Sequence, residues 1–126
     1  MRREWEDAIE RGDVHDVRAL LQVGCRPDAR DRYGQTGVML AAVRGHADVV
    51  RLLADAGADL DVTAKHGLSA LMLAVVNGHR DVVAVLVDAG ADQTLRGTGA
   101  AFTGRTARDL AEAAGDSETA ALLRPA

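Results

Sequence analysis

Aromatic residues and cysteine are scarce in this chain of 126 residues, which has one Trp, one Tyr, one Phe and a single cysteine, Cys25. With so few rings, a core must be built from Ala, Leu and Val, whose small side chains suit closely packed helices. A lone cysteine excludes an internal disulfide and a zinc site made of several cysteines. No run approaches the about 20 apolar residues that a membrane-spanning helix needs. These absences favour a soluble protein of the cytoplasm without a membrane partner.

Positive charge is also in short supply. The net charge is −4, so the broad basic face of a general nucleic-acid binder is not indicated and we expect no nucleic-acid partner. Lys65 is the only lysine among 15 basic residues, an arginine bias that is typical of GC-rich bacterial genomes. Hydrophobic residues make up 48% of the chain and charged residues 27%, which indicates a folded protein and not a disordered one.

Glycines recur at a fixed interval of 33 residues along the chain. The recurring positions are Gly12, Gly45 and Gly78, then Gly24, Gly57 and Gly90, and finally Gly34 and Gly67. The hexapeptide Gly-His-x-Asp-Val-Val also occurs twice, beginning at Gly45 and at Gly78. A period of this length predicts stacked supersecondary units, each too small to bury its own apolar face.

Residues 31–63 predict a helix, a turn, a second helix and a protruding loop. Thr36 is placed to cap the first helix, and Gly45 to end it in the left-handed conformation. The apolar residues of the second helix recur at intervals of three and four, at Val49, Val50, Leu52 and Leu53. Ser69 and Ser117 also stand at helix starts, so we predict that both act as helix caps. Trp5 falls in the apolar column of Val38, so we predict that it is buried.

The second and third units resemble ankyrin repeats. The residues that carry the resemblance are Asp31-x-x-Gly34-x-Thr36, Leu40-Ala41-Ala42-x-x-Gly45-His46, Val49-Val50-x-Leu52-Leu53 and Gly57-Ala58-Asp59, together with Gly67-x-Ser69, Leu73-Ala74, Gly78-His79 and Gly90-Ala91-Asp92. The family's Thr-Pro-Leu-His tetrapeptide is replaced by Thr36-Gly37-Val38-Met39 and by Ser69-Ala70-Leu71-Met72. The resemblance covers essentially the whole chain. It implies an all-α solenoid of four stacked helix-turn-helix repeats, at residues 1–30, 31–63, 64–95 and 96–126.

The two end units are predicted to act as caps. Positions that are apolar in the middle units become polar there, at Glu6, Asp7 and Asp16 in the first unit and at Arg108, Glu112 and Thr119 in the last. End repeats need such an outward-facing polar side for solubility. We therefore expect a finished, monomeric, single-domain protein over residues 1–126.

No arrangement of residues predicts an enzyme, a metal site or a cofactor. The four histidines, His15, His46, His66 and His79, contain no pair at the i, i+4 spacing of a helical zinc site. His46 and His79 are predicted to start second helices. Cys25 falls in a column of small alanines, where a packed thiol is expected and not an activated one.

One segment leaves a ligand-binding alternative open. Residues 99–106 have the G-x-x-x-x-G-[basic]-T spacing of a phosphate-binding loop, with Arg105 in place of lysine. The alternative function is therefore a small-ligand or nucleotide binder that uses the glycine-rich loop 97–106. The same segment is four residues longer than in the other units. Phe102 within it is expected either to contact a partner or to fold back on the stack.

The ankyrin resemblance implies that loop tips and first helices form a concave surface that binds a partner protein. The positions implied as contacts are Arg11, Arg32, Tyr33, Gln35, Arg44, Lys65, His66, Leu68, Asn77, Phe102 and Arg105. Five of these residues are basic. Glu10, which lies beside Arg11 in the chain, is the one acidic residue at the positions that the resemblance implies for this surface. We therefore predict a protein-interaction module (an adaptor, inhibitor or assembly factor) whose partner presents an acidic patch.

Overall fold

The computed structural model describes residues 1–125 and contains eight α-helices in this range, arranged as four consecutive pairs. The helices are α1 (Arg3–Arg11), α2 (Val14–Gln22), α3 (Gly37–Arg44), α4 (Ala47–Asp55), α5 (Ala70–Val76), α6 (Arg80–Asp88), α7 (Ala107–Ala113) and α8 (Ser117–Leu122). A short 3-10 turn at Lys65–Gly67 precedes α5. Among residues 1–125, β-type pairing is limited to one isolated bridge, between Arg30 and Thr36.

The helix pairs stack in chain order to form a solenoid of two helical layers. The first helices contact one another in the order α1, α3, α5 and α7, and the second helices do so in the order α2, α4, α6 and α8. The apolar core lies between the layers and consists mainly of Ala, Val and Leu side chains. The all-helical stack of four helix-turn-helix units expected from the sequence is therefore confirmed.

Helix ends follow the local sequence at most of the expected positions. Thr36 and Ser69 each accept the amide of the third residue of their helix, both at 3.3 Å, and Gly45 ends α3 with φ of +79°. The prediction that Ser117 caps the last helix is wrong. Asp116 is the cap of α8, since its carboxylate accepts the backbone amide of Thr119 at 3.1 Å. Aspartate and serine are equally good helix caps. Because Asp116 takes this role, the cap of α8 lies one residue before Ser117.

Trp5 is confirmed as a core residue of the first pair, with 1% of its surface exposed.

Gly37, which stands where the family pattern has proline, explains how the first pair fits against the second. A Cβ at Gly37 would lie 2.7 Å from Cδ1 of Ile9 and 3.4 Å from Cδ1 of Leu53. Since the interior is packed at close to crystal density, the missing side chain leaves the space that Ile9 occupies.

Histidine side chains join the first three pairs. His46 Nε2 donates to the carbonyl of Glu10 at 2.8 Å, and His79 Nε2 donates to the carbonyl of Val43 at 2.9 Å. Each ring lies against a glycine of the preceding pair. His46 lies against Gly12, and His79 lies against Gly45. Both histidines start second helices, as predicted. Because a carbonyl can only accept, Nε2 must carry the proton in both rings.

The last junction is built differently, from charged side chains. Asp116 occupies the column of His46 and His79 once the four-residue insertion is counted. Its carboxylate lies 2.9 Å from Nη2 of Arg80, and Arg80 also contacts the Glu118 carboxylate. The prediction that Thr119 faces outward is wrong, because it is 1% exposed. Its hydroxyl donates to Asp116 at 2.6 Å and accepts from Nε of Arg80 at 3.2 Å, so burial leaves it bonded.

We expect the fourth pair to loosen first when the protein is acidified. The hydrogen bonds from Thr119, with a further contribution from Arg80, hold the pKa of Asp116 below its usual value. A lowered pKa in the folded state means that the ionised carboxylate stabilises the fold above the ordinary Asp value of about 3.9. That stabilisation is lost as the pH falls through the folded pKa. Amide signals of residues 117–122 should therefore weaken before those of residues 47–55 in an NMR titration from neutral pH to below about pH 3.

The matched controls for this titration are Asp116→Asn and Asp48→Asn. The first change removes the titrating group at the junction, whereas the second removes an exposed carboxylate in the first turn of α4. In Asp116→Asn the α8 signals should already be weakened at neutral pH and depend less on acid. An α8 midpoint that is unchanged in this variant would contradict the assignment.

Candidate partner-binding surface

Arg32 and Tyr33 project from a loop tip that holds its own shape. The Asp31 carboxylate accepts the backbone amides of Tyr33 and Gln35, each at 2.9 Å. Tyr33 is 70% exposed, and the Arg32 guanidinium carbon lies 5.7 Å from the centre of its ring, a cation–π distance. An exposed ring on an ordered turn is the kind of anchor that dominates binding energy at protein interfaces.

Two of the basic residues expected on this surface are paired with carboxylates. Nη2 of Arg44 lies 3.0 Å from Glu10. Arg11 lies 3.4 Å from Asp13 and 3.2 Å from Asp16. Exposed pairs of this kind add little stability, but they cancel positive charge at the ends of α1 and α3. The expectation of a basic groove along the first helices therefore needs correction there.

Positive charge remains at the loop tips. Within residues 1–125, the ion pairs include none with Arg32, Lys65 or Arg105, and all three side chains are exposed. Arg32 and Lys65 occupy the same column of the repeat, so they project from successive tips on one edge of the stack. These three tips therefore carry unpaired positive charge, and other exposed arginines outside the described ion pairs, such as Arg18 and Arg51, lie on second helices.

Leu68 must be removed from the expected contacts. It is 8% exposed and belongs to the apolar core, and the turn before it closes through a 3.0 Å bond from the amide of Ala64 to its carbonyl. Gln35 is half-buried in the equivalent position. Asn77 is exposed, but its side-chain amide donates to the Leu73 carbonyl of its own helix at 2.8 Å. Among the expected contacts of the third pair, Lys65, His66 and Asn77 therefore remain exposed, and Val76 beside Asn77 in the chain is 50% exposed.

The long loop before α7 folds back on the third loop tip, which was one of the two alternatives for Phe102. Phe102 is half-buried against the core, and its ring centre lies 5.9 Å from that of His66. The amide of Thr98 donates to the His66 carbonyl at 2.7 Å. His66 and Arg105 remain exposed beside it, so the third and fourth tips lie together.

A family model described as "Ankyrin repeats (3 copies)" matches residues 6–97. The chain belongs to the ankyrin repeat family. One relative, Ankyrin repeat domain-containing protein 46 from Danio rerio, is 51% identical over 35 residues. The matched stretch is 28% of this chain and only 15% of that relative. Ankyrin repeats are generally protein–protein interaction modules, and the fourth helix pair of this ankyrin protein lies beyond the matched range.

The glycine-rich loop of this ankyrin protein does not form a phosphate cradle. Thr106 Oγ1 accepts the Asp109 amide at 3.2 Å, while the Asp109 carboxylate accepts the Thr106 amide at 3.0 Å. This capping box fills the start of α7 with a carboxylate, where an incoming phosphate would need free amides. The amides of Gly97 and Gly104 are bonded to carbonyls of the same loop. The alternative of a nucleotide binder at residues 97–106 is therefore not favoured.

Thr98 and Gly99 lie in the insertion that the sequence singled out, although they were not among the expected contacts. Through the bond from the Thr98 amide and the close approach of Gly99 to His66, they hold the third and fourth tips together. In the part of the chain that the structure describes, no three His, Cys, Asp or Glu side chains are arranged to hold a metal ion. Over the same residues, no helix is long and apolar enough to cross a bilayer.

Proposed function

We propose that this ankyrin protein is a non-catalytic interaction module that binds an acidic surface of a partner protein at its loop tips. In this proposal the units at residues 1–30, 31–63, 64–95 and 96–126 act as one monomeric domain in the cytoplasm. The module serves as an adaptor, inhibitor or assembly factor. Neither a cofactor nor a nucleic acid takes part.

The observation that carries the proposal is the charge of the loop tips together with an exposed aromatic ring. Unpaired cations project from the tips at Arg32, Lys65 and Arg105, and the second tip also carries the exposed ring of Tyr33. Many of the 19 acidic residues lie elsewhere, on second helices and on the turns that follow, for example at Asp55, Asp59 and Asp88. Cations at the tips steer an acidic partner toward them, while an aromatic anchor supplies affinity.

Reversing the charge at two tips should weaken binding at least about tenfold, since each reversal replaces attraction by repulsion at the contact. The test compares the double variant Arg32→Glu, Lys65→Glu and its two single variants with Arg51→Glu, which reverses one charge at an exposed position of α4. A partner captured from cell extract and identified by mass spectrometry is purified and titrated by calorimetry. The titrations are done at about 50 mM and 300 mM salt.

Binding should be lost in the tip variant, retained in Arg51→Glu and weakened by salt in the wild type. Equal affinity for both variants, with no salt dependence, would mean that the partner does not recognise the charges of Arg32 and Lys65. The proposal would then be withdrawn.

A further inference from the structure

The loop tips of this chain are stabilised in two different ways. Asp31 organises the second tip by accepting two loop amides through its carboxylate. The same column holds Ala64 in the third unit and, after the insertion, Ala101 in the fourth. Neither alanine can accept a hydrogen bond through its side chain, so these two tips need another source of order.

A carbonyl within the inserted segment replaces the missing carboxylate at the fourth tip. The Gly99 carbonyl accepts the amides of Phe102 at 3.2 Å and Thr103 at 2.9 Å, as well as the Thr103 hydroxyl. The base of the loop is closed by bonds from Gly97 to the Arg105 carbonyl at 2.9 Å and from Gly104 to the Gly97 carbonyl at 3.0 Å. The fourth tip is therefore ordered by its own backbone.

The third tip is held by the fourth. His66 has φ of +65°, in the left-handed region that a non-glycine residue rarely occupies. Its carbonyl accepts the Thr98 amide at 2.7 Å, and its ring packs beside Phe102. Gly99 lies so close that a Cβ there would be 2.6 Å from His66 Nδ1. The backbone of the fourth tip at Thr98 and Gly99 and the His66 side of the third tip thus hold each other in place.

We propose that residues 64–67 and 98–105 form a single preorganised contact surface, the fused tip, which docks an acidic segment of the partner protein. This inference rests on the proposed function and deepens it by locating the main contact at one end of the stack. The fused tip contains no Asp or Glu among its residues, although the chain has 19. It presents the cations of Lys65 and Arg105 together with the His66 ring. Because the surface is already ordered, less conformational entropy is lost when a partner binds.

Two glycines of the same loop provide a matched test. Gly99 and Gly104 have φ of +78° and +72°, so alanine is strained to a similar degree at either position. Only at Gly99 would the added methyl collide with His66, because no atom lies within 4 Å of a Cβ at Gly104. Gly99→Ala therefore displaces the His66 ring from the fourth tip without changing any charge, and Gly104→Ala controls for backbone strain.

The probe is a set of 12-residue peptides, selected from a random phage-displayed library on the wild-type chain. We expect the selected sequences to be rich in Asp and Glu. Their affinity should fall about tenfold in Gly99→Ala and stay within about twofold in Gly104→Ala. His66→Asn is a second variant that tolerates the left-handed backbone but lacks the imidazole ring, and it should also weaken binding. Thermal unfolding of each variant shows that binding is measured on folded protein.

The outcomes separate the two proposals. If Gly99→Ala and His66→Asn bind the peptides as Gly104→Ala does, the fused tip is not the docking surface. A remaining loss in the Arg32→Glu, Lys65→Glu variant would in that case leave the proposed function standing. Selected peptides that are neutral or basic would contradict the proposal that the partner presents an acidic segment. A library that yields no binder would contradict both proposals.

Discussion

Trp5→Ala should lower the free energy of unfolding by about 3–5 kcal/mol, the range for truncating a large buried aromatic side chain. Trp5 is the largest fully buried side chain of the first pair, and its Nε1 would lie 3.7 Å from a Cβ at Gly37 of the next pair. The small side chains around it cannot collapse to fill the space. Urea unfolding followed by far-ultraviolet circular dichroism measures the loss, since the variant has no Trp left for fluorescence.

Trp5→Phe is the matched control for this cavity. The indole Nε1 has no hydrogen-bond partner among the described residues, so phenylalanine removes an unbonded donor while it keeps much of the ring volume. The expected cost is about 1–2 kcal/mol. If the alanine variant lost no more stability than the phenylalanine variant, the first pair would not depend on this side chain.

Gly45→Ala should cost about 2–3 kcal/mol, the second-largest effect that we expect. About 1–2 kcal/mol comes from forcing a Cβ into the left-handed conformation, and about 1 kcal/mol from losing a partly buried hydrogen bond. A Cβ at Gly45 would lie 2.7 Å from His79 Nδ1, so the ring must move and release the Val43 carbonyl. The measurement is again equilibrium unfolding in urea.

Gly78→Ala isolates the backbone contribution to this loss. Gly78 has a similar φ of +73°, but nothing lies within 4 Å of a Cβ there. It should lose only about 1–2 kcal/mol. In a His79→Ala background, the cost of Gly45→Ala should fall to the same value, because the colliding ring is gone. Additive losses in that double variant would show that the collision does not carry the effect.

The sequence was sufficient for the architecture because the fold is built from contacts between equivalent positions. Glycines at one period, caps such as Thr36 and Ser69, and apolar residues at helical spacing each act within one unit or between neighbours. The burial of Trp5 follows from its column alone. Such features repeat, so a chance pattern is easily told from a structural one.

The candidate surface was less accessible to sequence reasoning because charges and loops do not follow the period. Arg44 is neutralised by Glu10, which is 34 residues earlier, and only the positions of both side chains reveal the pair. Leu68 shares the column of Gln35 and differs in burial because an apolar side chain turns toward the core. The insertion at residues 97–105 has no counterpart in the other units, so its return onto His66 could be proposed but not decided.

The histidine contacts bear on how such a chain can lengthen. An imidazole that bonds a main-chain carbonyl needs only a glycine beside the ring in the preceding pair, since every residue supplies the carbonyl acceptor. A duplicated copy of the middle unit would thus find its attachment point ready-made in each neighbour. The junction through Arg80 and Asp116 requires matched side chains on both the third and the fourth helix pair. New copies therefore fit between the first and third pairs, and the fourth pair stays at the end of the array as it grows.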